Sequence, residues 1–388
     1  MTPREGDPVA LTRALVAIPS VNPDLEPGGA GEREIGEWCA ELLRDWGFGV
    51  SLSETAPGRT NVIARLGDAG PTLLLQGHLD TVGVEGMEGD PFDPRIVGGR
   101  IHGRGSCDMK AGLAATLAVA RRVARETPSR GELVVAFTSD EEYASIGLQH
   151  LLDGGLTADA AIVCEPTSLA LLPANKGFAW FELLFRGRAA HGSRPDLGVD
   201  AIRHAGRFLS ALDSLESDLL ARKPHALLGH ASLHAGTISG GTAPPVYPAE
   251  CRLTMERRLL PGEELPDVEA ELREAVERAG RGVSDWSVEL SRGLTRKASE
   301  IDPSHPLVER LLKAIDAEGV PPRVEGMTAW VETAFLTESG IPAVCFGPGS
   351  LAQAHTAEEW VEISEIEAAA RILEAFTREF LATGLEQG

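Results

Sequence analysis

Long hydrophobic runs are missing from this chain. No stretch approaches the roughly 20 apolar residues of a membrane-spanning helix, so such a span is excluded. Cysteine is scarce: Cys39, Cys107, Cys164, Cys251 and Cys345 are widely scattered, odd in number and without a CxxC pair. That argues against a disulfide framework and for reduced thiols, with a catalytic cysteine as the less favoured alternative. Bases are outnumbered, 36 Lys and Arg against 58 Asp and Glu, for a net charge of −22. The balance disfavours nucleic acid and anionic membrane as partners, since phosphate binding needs clustered cations. It is otherwise an ordinary means of staying soluble. The opening MTPREGDPVA lacks the basic-then-apolar order of a signal peptide, so a cytoplasmic location is expected. There is no GxSxG elbow, no repeat and no low-complexity tract, which removes the usual signatures of a serine hydrolase, a solenoid and a disordered chain.

What is present is a chain of 388 residues, longer than one hydrophobic core usually serves, so two domains are expected. Residues 31–46 place Ile35, Trp38, Cys39, Leu42, Leu43 and Trp46 at helical spacing. Strands are expected at Asn61–Leu66, Thr72–Gln76, Glu132–Thr138 and Asp159–Cys164, with a helix at Gly112–Arg125. Short apolar runs between helices indicate a buried, largely parallel sheet in an α/β layer structure. From residue 177 the pattern changes to a strand (Ala179–Arg186), a helix (Ala201–Leu215, with Ile202, Ala205, Phe208, Leu209 and Leu212 on one side), strands near 231–239 and 249–258, a helix at 266–279 and a strand at Trp286–Leu290. This β-α-β-β-α-β order is that of a split ferredoxin-like unit. After residue 293 the first pattern returns, with a helix at Pro306–Ala317, a strand at Ala343–Phe346 and a helix at Ser364–Phe380 opened by a Ser364/Glu367 capping box. The expected organisation is therefore one α/β domain (1–176 and 293–388) interrupted by a second (177–292).

The acidic and imidazole residues fall where strands end. LLLQG runs into His78 and Asp80, ELVVAFTS into Asp140, Glu141 and Glu142, and AAIVC into Glu165. GRGSCDMKAG sets Asp108 in a glycine-rich turn before a helix, and FGPGSLAQAH delivers His355 beyond another strand. Singly, each has a plain reading. The HxD pair can be structural, the DEE triplet a solvated turn, Asp108 a helix cap and His355 a surface residue. Together they would gather outside the carboxyl ends of strands, where open α/β sheets bind ligands. Carboxylates so gathered repel one another unless a cation neutralises them. Two histidines with several carboxylates suit zinc, cobalt or manganese. One cation would leave carboxylates over; two sharing a bridging carboxylate would use them all and would activate water for hydrolysis.

GHLDTV, GRGSCDMKAG, TSDEE, CEPT, AAHGSRPDLGVDAI, GIPAVCFGPG and AHTAEEW, in this order, resemble the dinuclear zinc family of acetylornithine deacetylases, succinyl-diaminopimelate desuccinylases, aminoacylases and glutamate carboxypeptidases. The resemblance covers nearly the whole chain. It implies an α/β, zinc-exopeptidase-like catalytic domain carrying an inserted ferredoxin-like lid that dimerises. It implies that His78 and Glu165 bind one cation, that Glu142 and His355 bind the other, and that Asp108 bridges them. Asp80 would accept a hydrogen bond from the His78 ring and fix its tautomer, and Glu141 would be the general base. His191, in AAHGSRP, would stabilise the oxyanion, often in the partner subunit's site. That in turn implies a homodimer. Arg258, in MERRLLPGE, would hold the substrate carboxylate, and the GGT at 240–242 would line the substrate loop. Two positions depart from the family pattern. Pro245 stands where an asparagine is usual, and Val331-Glu332 replaces a Thr-Asp, leaving Glu332 to keep the acidic, substrate-side role.

The implied activity is metal-dependent hydrolysis of the amide of a small N-acyl amino acid by a water between two divalent ions, zinc foremost. A dipeptidase or carboxypeptidase on the same centre is the alternative. A non-catalytic ligand-binding relative is disfavoured, because all five ligand positions and Glu141 are present.

Overall fold

A computed structural model describes residues 2–126 and 130–385. The chain divides into two compact units. The first comprises the chain up to Pro173, Ile301–Glu325 and the chain from Val331; the second comprises Ala174–Glu300 and Gly326–Trp330. The second unit is thus broader than 177–292. Its last long strand runs on to Arg296, and Ser299–Glu300 then pairs with Asn175 and Ala174. Trp330 also belongs to it, edge-on to Phe178 at 6.3 Å.

In the first unit the sheet has a parallel centre and antiparallel margins. Glu132–Thr138, Thr72–His78, Ala160–Val163 and Ala343–Cys345 lie side by side in that order, all parallel. Arg59–Gly67 and Gly49–Ala56 extend one margin in antiparallel sense. The central strands are buried along nearly their whole length, as strands covered on both faces must be. The helix Ala111–Ala124 is rich in alanine and buried on almost all sides. Its small side chains let it pack between Pro8–Val16 and Ile363–Thr383. Register sets the site: His78 pairs with Thr138, and Gln76 with Val163. The residues that follow each of these strands therefore emerge at one edge.

The final helix begins at Ile363, one residue before the expected start, with Glu362 in the cap position and no side-chain capping bond. The Ser364/Glu367 capping box does not form, because Ser364 is already inside the helix.

The second unit has the strand order Ser232–Gly240, Glu250–Leu259, Gly177–Arg186, Val288–Arg296, with every neighbour antiparallel. That is the ferredoxin-like arrangement. The helix Ala201–Ala221 is capped by Asp200, whose carboxylate accepts the Arg203 N–H at 2.9 Å. It buries Ala201, Ala205, Phe208, Leu212, Leu215 and Leu219. Ile202, expected on that face, is 44% exposed, because the apolar stripe is set by the 4-3-4-3-4 spacing of these six residues. Among the described residues no helix is long and apolar enough to cross a membrane.

Candidate metal centre

His78 closes the central strand, with its side chain 1% exposed. Its Nδ1 lies 2.9 Å from the main-chain oxygen of Asp80. A carbonyl only accepts, so Nδ1 carries the proton and Nε2 is left as the donor atom facing the site. The sequence reading gave this task to the Asp80 carboxylate, but its Oδ1 is 3.6 Å from the ring and is committed elsewhere. Asp80 accepts the main-chain N–H groups of Glu141 and Glu142, each at 3.1 Å, and Asn22 Nδ2 at 2.8 Å. Asp80 therefore holds the backbone of the acidic loop, while its own carbonyl orients the imidazole.

Asp108 sits at the centre. One oxygen is 3.1 Å from His78 Nε2 and the other 3.4 Å from His355 Nε2. Glu165 Oε1 is 3.8 Å from His78 Nε2, and Glu142 Oε2 is 3.0 Å from His355 Nε2. All five residues converge, as two histidine–carboxylate pairs on either side of one aspartate. Ligand atoms of His78, Asp108 and Glu142 lie within 4.8 Å of one another. Close packing of the main chain pins Glu165. A Cβ on Gly112 would come within 2.0 Å of the Cys164 carbonyl oxygen, and one on Gly347 within 2.6 Å of the Glu165 carbonyl oxygen; only glycine permits either approach.

Carboxylates outnumber imidazoles in the cluster. Burial, then the neighbouring Asp108, Glu142 and Glu332 carboxylates, push Glu165 up to about 8 against the attraction of His78. Burial raises Glu141 far above the usual carboxylate range, with Glu165, Glu142 and Glu332 adding to it and His78 opposing. Glu142 is raised by burial and by Asp108. Hydrogen bonds to Asp108 and Glu142 lift His355 to about 10. For His78, burial alone would lower the pKa, but the Asp108 hydrogen bond and the surrounding carboxylates outweigh it. Asp108 is itself held low: burial opposes ionisation, and the two histidines overcome it. Glu142 Oε1 is buried with no hydrogen-bond partner. A mixed imidazole–carboxylate donor set with repelling acids and an unpartnered buried oxygen fits two divalent cations.

Glu332 does not meet its expectation. It is 1% exposed, and its carboxyl is held by Gln76 and by Thr138 Oγ1, the latter at 3.0 Å. Burial pushes it up to about 8. Its near-complete burial and these two partners argue against a substrate-side role. A catalytic cysteine is also ruled out: all five thiols are free and buried, and burial raises them all, Cys164 to about 12.

His191 and Arg258 belong to the second unit. His191 is exposed, with Nδ1 2.8 Å from Ser193 Oγ. It forms a bridge with Val246, and the Gly192 N–H donates to the Pro245 carbonyl at 2.7 Å. The Pro245 departure thus lies beside this histidine. In MERRL the two arginines divide. Arg257 is buried and paired with Glu263 at 2.6 Å. Arg258 is partly exposed, with Nε 2.7 Å from Glu256 and its guanidinium 5.6 Å from the Phe178 ring centre.

Sequence reasoning missed several supporting residues. Arg59, 3% exposed, pairs with Glu32 at 2.7 Å and with Asp140 at 2.8 Å, and also meets Asp24. Asn22 Nδ2 spans from Asp80 to Asp140, at 2.8 and 3.0 Å. Asp140, directly before Glu141, has φ 70°. A left-handed aspartate costs about 1–3 kcal/mol and persists only when its surroundings fix it, which this network does. Nothing local in the sequence marks these partners.

Comparison with known proteins identifies the family. The family described as peptidase family M20/M25/M40 matches residues 74–379. An acetylornithine deacetylase of Myxococcus xanthus is 32% identical over 339 residues, 81% of this chain and 82% of that protein. Among solved structures, an aminopeptidase of Bacillus cereus superposes with a TM-score of 0.80 at 21% identity, covering 97% of this chain and 98% of the other. A dinuclear metal-binding peptidase of Bacillus subtilis superposes with a TM-score of 0.76 at 16% identity, covering 98% and 99%.

Proposed function

The chain belongs to peptidase family M20/M25/M40, a family of metallo-hydrolases acting on amide and peptide bonds, and from that premise we propose that it hydrolyses the amide of a small N-acyl amino acid with two divalent cations bound. The observation that carries the reading is Asp108, whose two oxygens face two separate histidine–carboxylate pairs. His78 and Glu165 would hold one cation, Glu142 and His355 the other, and Asp108 both. Zinc is the first choice, with cobalt or manganese as alternatives. When bound, the cations would supply Lewis acidity toward the acyl oxygen and acidify water.

The chain's own residues would do the rest. Glu141, next to a ligand but not one, would take a proton from the attacking water and return it to the leaving amine. Its raised affinity for a proton suits an acid–base role. His191 would stabilise the oxyanion of the tetrahedral intermediate, and Arg258 would hold the substrate carboxylate as a planar fork. The Ser232–Gly240 strand is almost wholly exposed and lies at the edge of its sheet. Such an edge leaves main-chain groups unpaired and supports a homodimer formed through the second unit. Free, buried thiols support a reducing, cytoplasmic setting.

The relative at 32% identity favours a deacylase, while the family description keeps a dipeptidase or carboxypeptidase as the second reading. Stripped protein re-supplied with zinc or cobalt, assayed on N-acetyl, N-formyl and N-succinyl amino acids beside dipeptides, separates the two. Release of free amine that is restored by metal and lost in Glu141→Ala is the expected result. Metal binding with a silent panel would refute the substrate class, and failure to bind metal would refute the function.

A further inference from the structure

Glu359 lies four residues beyond His355, in a segment that reads as an ordinary acidic surface turn (AEEW). The structure buries it to 1% exposure, while its neighbour Glu358 is exposed. Its Oε1 accepts the main-chain N–H groups of Cys107 at 2.8 Å and Asp108 at 3.0 Å. Its Oε2 accepts the Gly105 N–H at 2.9 Å and Arg104 Nη1 at 2.6 Å. Arg104 is itself buried and donates Nε to the Gly83 carbonyl at 2.8 Å. One carboxylate thus gathers three N–H groups of the turn that ends in Asp108, those of Gly105, Cys107 and Asp108, and pairs with a buried arginine. The turn needs such a partner. Gly105 is left-handed at φ 77°, and Asp108 and Met109 have non-helical dihedrals, so these N–H groups have no helical ladder to join.

We propose that Glu359, held by Arg104, is the positioning residue for Asp108. It touches neither substrate nor reacting atoms. It fixes the backbone from which the Asp108 carboxylate faces both histidines, and it ties that backbone to the segment carrying His355. The inference rests on the metal-centre reading above and extends it to a residue 251 positions away in sequence. Outer partners of this kind change metal affinity by about 10–100-fold when removed.

The test is cation affinity, read by competition with a chelating indicator and by the visible absorption of the cobalt-loaded protein. Four proteins are compared: wild type, Glu359→Gln, Glu358→Gln and Leu373→Ala. Gln keeps the size of Glu359 but loses the charge and sets an NH2 among donors. Leu373→Ala removes core packing far from the turn and controls for mere loss of stability. The expected result is two cations on wild type, binding weakened about 10–100-fold with an altered cobalt spectrum in Glu359→Gln, and wild-type affinity in the other two. Wild-type affinity and spectrum in Glu359→Gln, or equal weakening in Leu373→Ala, would overturn the inference while leaving the function standing. Absence of cation binding in wild type would overturn both. Should Glu359→Gln not fold, Glu359→Asp keeps the charge but cannot span all three N–H groups. It is expected to weaken binding in the same direction, and unchanged binding there overturns the inference equally.

Discussion

Asp108 and Arg258 are both assigned to one reaction, yet their units hold them in opposite ways. Asp108 faces two histidines, and its backbone is fixed by a buried carboxylate and arginine. The acidic loop opposite is fixed by a second buried set: Asp80, Asn22, Asp140 and Arg59. In the second unit, Arg258 leans on Glu256 two residues away and His191 on Ser193 two residues away, both at the surface. Groups proposed to bind cations are pre-set, at the cost of buried charge. Groups proposed to meet the substrate are only locally paired. Substitutions in the first unit should therefore change metal content and stability, and those in the second should change kinetic constants alone.

The largest expected effect is that of Glu141→Ala. Loss of a general acid–base group lowers kcat by about 10²–10⁴-fold, while cation stoichiometry should stay at two, because Glu141 is proposed as the base and not as a ligand. Co-loss of one cation would show that Glu141 and Glu142 have their roles reversed. Arg59→Ala comes next and reads out as stability. It leaves Glu32 and Asp140 buried without their cation, and stripping one partner from such a set costs about 3–5 kcal/mol. A chemical denaturation midpoint equal to wild type would contradict the buried network.

Which parts of this were legible in sequence follows from distance along the chain. The five proposed ligands sit in short strings at strand ends; their placement marks them as candidates, and the family resemblance of those strings assigns them. The helix Pro306–Ala317 and the strand Glu132–Thr138 match their expected bounds, because the hydrophobic pattern and the flanking residues agree. Gly49–Ala56 escaped because it is a half-exposed margin strand with polar content, and Ile146–Asp153 because eight residues give too few periods. Glu332 was misread because burial depends on what covers a residue, and its partners Gln76 and Thr138 lie 256 and 194 positions away. Glu359 was passed over for the same reason.

In the second unit, His191→Ala should lower kcat by about 10²–10³-fold if it serves the oxyanion, with cation affinity and melting temperature unchanged. Unchanged turnover would return it to a surface histidine. Arg258→Ala should act on binding. Loss of one charged hydrogen-bonding partner, about 1.5–3 kcal/mol, should appear mainly as a higher KM, and Arg258→Lys should recover little, since an ammonium cannot reproduce the fork. Equal KM would sink the carboxylate-binding role.

The last comparison separates the units by pH. Glu332 has its folded pKa raised to about 8 from an ordinary value of 4.5. Between those values the folded state binds the proton that the unfolded state has lost, so stability declines as pH rises from about 5 to 8. Glu165 contributes in the same direction in metal-free protein; a bound cation should cancel its share and leave that of Glu332. Glu332→Gln mimics the protonated acid. It should melt with wild type near pH 5 and above it at pH 8, with a gap that widens as pH rises. The second unit's exposed pairs run the other way. Glu289 is held low by its hydrogen bond to Arg186, so whatever it contributes is present above the carboxylate range and lost in acid, and salt screens it. Amide exchange resolved by unit should then show the first unit loosening toward alkaline pH and the second toward acid. A common slope in both would mean that the buried Glu332 carboxyl does not govern how the first unit responds to pH.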